Sequence, residues 1–122
     1  MKKLPIIALT LALTAPAKAK LPQQVYTTID QVLQTKSNPK TRRLVSSLAD
    51  KLGDNNGKTT NEEMIYALDL VVSEEAQRYI AKRIFGEPKT IDELSKVEKL
   101  KIRLQYPQIE YTTKLRKRYL NR

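Results

Sequence analysis

Apolar residues recur every three or four positions along almost the whole chain from residue 20 onward. This spacing places them on one face of an α-helix, whereas a half-buried β-strand needs strict alternation, which is hard to find here. Glycine is also scarce, with 3 residues in the chain. The pattern therefore predicts an all-α fold, a small irregular bundle of five to six helices.

Capping and breaking residues divide the first half of the chain. One helix is predicted over about 22–34 and a second over about 39–51, where Asn38 suits the cap position and proline suits the first turn. Thr60 and Glu63 have the spacing of a capping box, in which each side chain accepts a hydrogen bond from the other's backbone amide. The third helix begins there. It is the most apolar segment and is predicted to form the centre of the core.

The second half is divided in the same way. Ser73 either caps a new helix or lies on the outer face of one long helix. A capping box at Thr90–Glu93 precedes a helix with one apolar side and one side of alternating charge, which is typical of a solvated face. A last helix is predicted over about 109–120. The apolar side of the helix before it consists of Leu94, Val97, Leu100 and Leu104, and the charged side of Lys96, Glu98, Lys99, Lys101 and Arg103.

The first residues follow the plan of a secretory signal peptide: a positive start, an uncharged and mostly apolar run over 4–15, and a small-x-small cleavage site ending at Ala19. A membrane-spanning helix needs about 20 apolar residues, and this shorter run favours cleavage over an uncleaved anchor. We expect residues 1–19 to be a cleavable signal peptide and 20–122 a single helical domain with a basic C-terminal helix. Cleavage after Ala17 is the alternative, and the mass of the exported protein distinguishes the two cleavage sites.

Export predicts a periplasmic or secreted location, with no transmembrane segment after processing. Residues 20–122 carry twenty Lys and Arg residues against thirteen acidic ones, a net charge of +7. So basic a protein attracts polyanions. The expected partner is an anionic surface or an acidic protein in the envelope or outside the cell, and the signal peptide argues against nucleic acid in the cytoplasm.

Three missing residue types restrict the chemistry. The chain has no Cys, no His and no Trp, which excludes disulfides, thiol nucleophiles, Ser–His pairs and imidazole metal ligands. A pair of carboxylates remains available, so a small muramidase-like cell-wall hydrolase is the alternative function. The spacing selects no pair among the candidates Glu62, Glu63, Asp69, Glu74 and Glu75.

The segment between the second and third helices carries oxygen-bearing residues at alternate positions around Gly57. With Leu52 as the first loop position, the helix–loop–helix over 41–72 resembles a degenerate EF-hand, with glycine at the sixth position and Glu63 at the twelfth. Leu52 cannot ligate, Thr59 stands where the family has an aliphatic residue, and Asp50 could supply a carboxylate only in a longer loop. The resemblance implies weak Ca²⁺ binding by Asp54, Asn56, the Lys58 carbonyl, Thr60 and Glu63. The alternative is a capped turn without metal.

The C-terminal end is basic. Its functional interpretation is an anion-binding helix, and the alternative is a helix docked by its tyrosines with a solvated basic back. The function predicted from the sequence is an exported, non-enzymatic binding or interaction protein with a basic helical surface. The predicted anion-binding residues are Lys114, Arg116, Lys117, Arg118 and Arg122. The stripe of Tyr111, Leu115 and Tyr119 would press on the anionic surface in the first interpretation and dock the helix in the second.

Overall fold

Six α-helices pack together in the computed structural model, which describes residues 20–122, and no strand occurs within them. The all-α prediction is confirmed. The predicted signal peptide, 1–19, lies outside the described residues. None of the described helices has the length and apolar character needed to span a membrane. The helices are α1 (Gln23–Leu33), α2 (Asn38–Leu52), α3 (Asn61–Val71), α4 (Glu74–Phe85), α5 (Lys96–Gln105) and α6 (Pro107–Leu120), with a 3₁₀ turn (Ile91–Glu93) before α5.

The third helix lies at the centre of the main core, as predicted. It packs against α1, α2 and α6, and its Ala67 and Leu68 have no exposed surface. Burying a leucine-sized side chain stabilises a fold by about 1.5–3 kcal/mol, so this contact between helices is a major source of stability. The core also contains Val25 and Ile29 of α1, Val45, Leu48 and Ala49 of α2, Met64 and Val71 of α3, Ala76 and Ile80 of α4, and Leu115 of α6.

The last helix docks on this core through its tyrosine stripe. Leu115 is buried in the main cluster, and Tyr111 and Tyr119 pack against it. A buried polar contact fixes the start of the helix: the Thr41 hydroxyl donates to Gln108 Oε1 at 2.5 Å. Gln108 Nε2 in turn donates to the Asn38 side chain at 2.9 Å. These contacts hold α6 against both α2 and α3.

The fifth helix packs on a second, smaller cluster. This cluster contains Ala81 of α4, Leu94 and Ile102, and partly buried residues of the 3₁₀ turn and α6 border it. Ile102 is the residue of α5 that is buried, with 7 % of its surface exposed. The predicted apolar side of this helix faces solvent instead. Val97, Leu100 and Leu104 are 77 %, 50 % and 68 % exposed.

Capping explains this difference and two smaller ones. The capping box at Thr90 starts only a 3₁₀ turn, and α5 begins later, behind a second box formed by Ser95 and Glu98. Leu94 therefore precedes the helix and does not extend its apolar stripe. Ser37, and not the predicted Asn38, caps α2. The two interpretations of Ser73 are resolved in favour of a new helix, because its hydroxyl accepts from the Ala76 amide at 3.2 Å.

Replacing Thr41 by valine tests the contact that fixes α6. The change removes the hydroxyl and leaves Gln108 Oε1 buried without its donor, which we expect to lower the free energy of unfolding by about 1–3 kcal/mol. Urea unfolding measures this loss. Thr27→Val at an exposed position of α1 is the control and should change the free energy by less than about 0.5 kcal/mol. Equal stability of the two variants would show that the bond does not hold the helix.

Candidate functional site

The loop between α2 and α3 is closed by the Glu63 carboxylate. Its Oε1 accepts from the Thr60 amide at 2.9 Å and its Oε2 from the Asp54 amide at 2.8 Å. The Thr60 hydroxyl accepts from the Glu63 amide at 3.1 Å, which completes the predicted capping box. A side chain on Gly53 would collide with this carboxylate. Glu63, the predicted bidentate calcium ligand, therefore accepts hydrogen bonds from two backbone amides of its own loop.

Asp50 organises the other end of the same loop. Its carboxylate accepts from the amides of Asn56 at 3.0 Å and Gly57 at 3.1 Å, and its carbonyl accepts from Asn55 at 2.7 Å. Asn55 and Gly57 have φ values of 52° and 82°. Gly57 adopts this left-handed backbone without steric cost, as the predicted sharp turn requires. Asp50 is thus the carboxylate that shapes the turn, although it precedes the predicted ligands.

The five predicted calcium ligands lie in and beside one loop, where several of their oxygens accept hydrogen bonds from amides of the same segment. Asn56 Oδ1 accepts from the Lys58 amide at 2.9 Å, an arrangement typical of an Asx-turn. Asp54 is exposed, and its amide, not its carboxylate, contacts Glu63. Over residues 20–122, no group of three or more acidic side chains is placed to hold a metal ion. The arrangement stabilises the turn through its own hydrogen bonds.

The acids considered for hydrolysis are engaged in separate local contacts, except that Glu74 and Glu75 share one arginine. Asp69 pairs with Arg116 of α6. Glu74 and Glu75 lie 3.5 and 3.8 Å from the Arg78 guanidinium. Glu62 is exposed on α3, and Glu63 closes the loop described above. The described structure brings no two of these five carboxylates together at a cleft.

A cleft of about 770 Å³ lies between α1 and α4, and Glu75 is the carboxylate among its lining residues. Tyr26 and Tyr79 form one wall, with ring centroids 4.6 Å apart. The Tyr79 hydroxyl donates to Asp30 at 3.0 Å, and Arg83 lies 3.4 Å from the same carboxylate. Burial, with Asp30 adding to it, raises the pKa of Tyr79. Tyr79 therefore stays protonated and holds Asp30, which links α1 to α4.

The predicted anion-binding residues divide into two groups. Arg116 donates to Asp69, and the Arg122 guanidinium stacks 3.9 Å from the Tyr119 ring and reaches Asn61 at 3.4 Å. The other three are exposed on the outer face of α6, where no acid of the described chain forms an ion pair with them. Those three, Lys114, Lys117 and Arg118, lie within one helical turn of each other.

Charge is unevenly distributed along the described chain. Residues 20–95 carry eleven basic and eleven acidic side chains, whereas 96–122 carry nine basic and two acidic ones. The segment 96–122, which contains α5, α6 and Arg122, therefore carries the whole net charge of +7. The sequence interpretation missed the contribution of α5, which it treated only as a solvated face. Counting charge by segment would have revealed it. The added residues are Lys96, Lys99, Lys101 and Arg103, all exposed.

A groove of about 230 Å³ joins these two helices. Its floor is apolar, with Leu94, Ile102 and Ile109, and Lys99 and Arg103 of α5 stand at its rim. Thr113 of α6 also lines the groove, and Lys117 lies one turn beyond it on the same face. Glu110 of α6 also lines the groove. We call the exposed basic residues of these two helices the α5–α6 surface: Lys96, Lys99, Lys101, Arg103, Lys114, Lys117 and Arg118.

Comparison with known proteins gives no match: no protein-family model, curated protein or solved structure is significantly similar to the chain.

Three capping glutamates should make stability depend on acid pH. Hydrogen bonds from the Thr60, Thr90 and Ser95 amides lower the pKa of Glu63, Glu93 and Glu98, respectively, below the usual 4.5. The unfolded chain then binds more protons than the folded one as the solution is acidified. The stabilisation is complete above about pH 4.5 and is lost as the pH falls through the lowered values.

We expect the melting temperature to fall on acidification below the usual glutamate pKa. Changing the three capping glutamates to glutamine together should flatten this dependence, because glutamine does not titrate in that range. Melting followed by circular dichroism across the pH series measures it. Glu62→Gln, outside any cap, is the control and should keep the wild-type profile. An unchanged profile in the triple variant would contradict the proposed origin of the dependence.

Proposed function

We propose that the protein is an exported, non-enzymatic binding protein that holds a polyanionic partner on the α5–α6 surface. The observation that carries this proposal is the charge distribution: residues 96–122, which contain the last two helices and Arg122, bear all of the net positive charge, and the rest of the described chain is neutral. A concentrated field of one sign raises the local concentration of oppositely charged partners and speeds their association. Export is the part of the proposal that depends on the N-terminal sequence.

Exposure supports the same surface. Its seven basic residues are exposed and form no ion pair with acids of residues 20–122. By contrast, Arg78, Arg83 and Lys89 of the neutral part each lie against a carboxylate. Within the surface, Lys101 lies over the ring of Phe85 at 5.6 Å. The other six can form an ion pair with an external partner without first breaking an internal ion pair.

The packing of α6 supports a rigid binding surface. Its tyrosine stripe and Leu115 are occupied by the main core, so the outer residues are presented in a fixed helical arrangement. Arg116 adds a contact to α3 through Asp69. The helix therefore displays Lys114, Lys117 and Arg118 without itself having to fold on the partner, and this avoids the ordering cost of a flexible tail.

The hydrolase alternative has less support. A glycosidase of the usual kind needs two carboxylates on either side of the scissile bond. The cleft between α1 and α4 has Glu75 among its lining residues, and Arg78 contacts that carboxylate. A partner bound through charge requires no such pair.

Weak calcium binding by the EF-hand-like loop is a secondary proposal. It is favoured by the oxygen-bearing side chains of one loop and by the left-handed turn at Gly57. A cation would have to displace the Asp54 and Thr60 amides from Glu63. Affinity should accordingly be low, with a dissociation constant of about 10⁻⁴–10⁻³ M, as in extracellular modules.

Neutralising the outer face of α6 tests the main proposal. The triple variant Lys114→Gln, Lys117→Gln, Arg118→Gln should bind inorganic polyphosphate about tenfold or more weakly, and the slope of log K against log salt should fall by about two to three. The matched control removes three exposed bases of α2, Lys40, Arg42 and Arg43. It should bind almost as well as the wild type. Equal losses in both variants, or no binding by the wild type, would contradict a specific surface.

Melting in millimolar calcium or magnesium tests the secondary proposal. We expect calcium alone to raise the melting temperature of the wild type, and Glu63→Gln to abolish this rise, because the amide is a poorer calcium ligand than a carboxylate. Glu62→Gln at the adjacent exposed position should retain it. The same response in wild type and Glu63→Gln, or the absence of one, would leave the loop as a capped turn.

A further inference from the structure

We propose that α5 lies on anionic lipid bilayers, with Val97, Leu100 and Leu104 inserted between the headgroups. This inference rests on the proposed function and names the class of partner. The three side chains are 77 %, 50 % and 68 % exposed, although the helix buries Ile102 on its other side. They occupy positions i, i+3 and i+7, so they form a single apolar ridge about 10 Å long.

Basic side chains border this ridge on both sides. At 100° per residue, Lys101 lies next to Val97 on one edge, and Lys96 and Arg103 lie next to Leu100 on the other. All three are exposed, and the Lys101 ammonium also lies 5.6 Å over the ring of Phe85. Long basic side chains beside an apolar ridge can reach phosphate while their stems cover the boundary between headgroups and acyl chains. This charge complementarity identifies a negatively charged apolar surface as the partner.

The acid within α5 does not oppose such a contact. Glu98 is positioned toward the protein, where its carboxylate accepts from the Ser95 amide at 2.8 Å and lies 3.7 Å from Lys89. The outward face of the helix thus combines apolar and basic residues. An anionic bilayer attracts the basic residues near its surface, and this attraction extends over about a Debye length.

The shape of the ridge favours a bilayer over other polyanions. The ridge is convex, because it is formed by one exposed helix, whereas a peptide helix usually binds in a groove between elements. A soluble polyanion would satisfy the basic residues but leave the apolar ones in water. A second copy of the chain would bring the basic borders of two ridges together and is disfavoured by repulsion. An anionic bilayer has both an apolar interior and a negatively charged surface.

The docking of α5 leaves the ridge available. Ile102 and the preceding Leu94 anchor the helix on the second cluster, on the side away from the ridge. The ridge can therefore enter the headgroup region without unfolding the helix or opening the main core. This predicts that polar substitutions on the ridge change lipid binding and not folding.

Flotation with lipid vesicles tests the proposal on the purified protein. All variants should have the same N terminus, as established by mass spectrometry. The wild type should bind vesicles of mixed phosphatidylglycerol and phosphatidylcholine and not phosphatidylcholine alone. The variant Val97→Gln, Leu100→Gln, Leu104→Gln keeps charge and helix propensity and should bind the anionic vesicles about tenfold or more weakly. Tyr66→Gln removes a comparably exposed apolar side chain, 55 % exposed, from α3 and is the control.

Inorganic polyphosphate separates failure of this inference from failure of the proposed function. Loss of vesicle binding with retained polyphosphate binding in the ridge variant supports insertion of the ridge. Equal vesicle binding by wild type and ridge variant, or wild-type binding to polyphosphate but not to vesicles, overturns the lipid proposal while leaving the polyanion-binding function intact. If the wild type binds polyphosphate but not vesicles, an acidic helical peptide is the next partner to test. Wild-type binding to neither probe overturns both proposals.

Because the chain has no cysteine, Leu104→Cys carries a single environment-sensitive fluorophore and measures depth directly. A blue shift on anionic vesicles and none on polyphosphate is the expected result. No shift on vesicles that bind the labelled protein would place the ridge outside the lipid and overturn its insertion.

Discussion

Docking of the last helix is the contact on which the rest of the arrangement depends. Leu115 enters the core formed around α3, and the buried Thr41–Gln108 hydrogen bond ties the start of α6 to α2. A buried hydroxyl and amide require each other, because either one left without a partner in the interior is costly. Once this face of α6 is occupied, its basic residues must point outward. The break at Tyr106 then positions α5 beside it, on the exterior of the main core.

Glutamates near helix starts act as caps, a role that the Thr60–Glu63 and Thr90–Glu93 spacings indicate and that Glu98 shares. Glu63, Glu93 and Glu98 each accept a hydrogen bond from the amide at their helix start, and these bonds keep them ionised. In the loop of the EF-hand-like segment, this role competes with metal coordination for the same Glu63 oxygens. A turn that is already closed by Asp50 and Glu63 needs no cation for its shape. Any calcium response would therefore be a rearrangement of the loop rather than the completion of an open site.

In the fifth helix, an amphipathic pattern that usually indicates a buried face belongs to an exposed one. A stripe of valine and leucine predicts a buried face in a small helical protein. Here the helix is anchored by Ile102 instead, and the stripe is exposed among basic residues. The ridge can remain exposed because the other helices bury their apolar faces in the main core, and α5 packs only on the small second cluster. The surface that results has both charge and apolar character.

Most of the helical architecture can be predicted from the sequence because its causes are local. The apolar spacing predicts the helices, the Thr60–Glu63 box predicts the start of α3, and Gly57 predicts a sharp turn. These depend on hydrogen bonds and steric limits within a few residues. The charge of the last two helices is likewise a property of composition alone.

Tertiary structure alone decided which apolar face of α5 is buried, which predicted anion-binding residues remain free, and how the carboxylates are distributed. Arg116 pairs with Asp69, which lies 47 positions earlier in the chain. Ile102 is buried against residues of α4 and α6. Such contacts join segments that are distant in sequence, so no local propensity encodes them. The sequence by itself determined the helices and their charge. Packing determined which side of each helix faces a partner, because only the competition among all helices for one core assigns each face to the interior or to solvent.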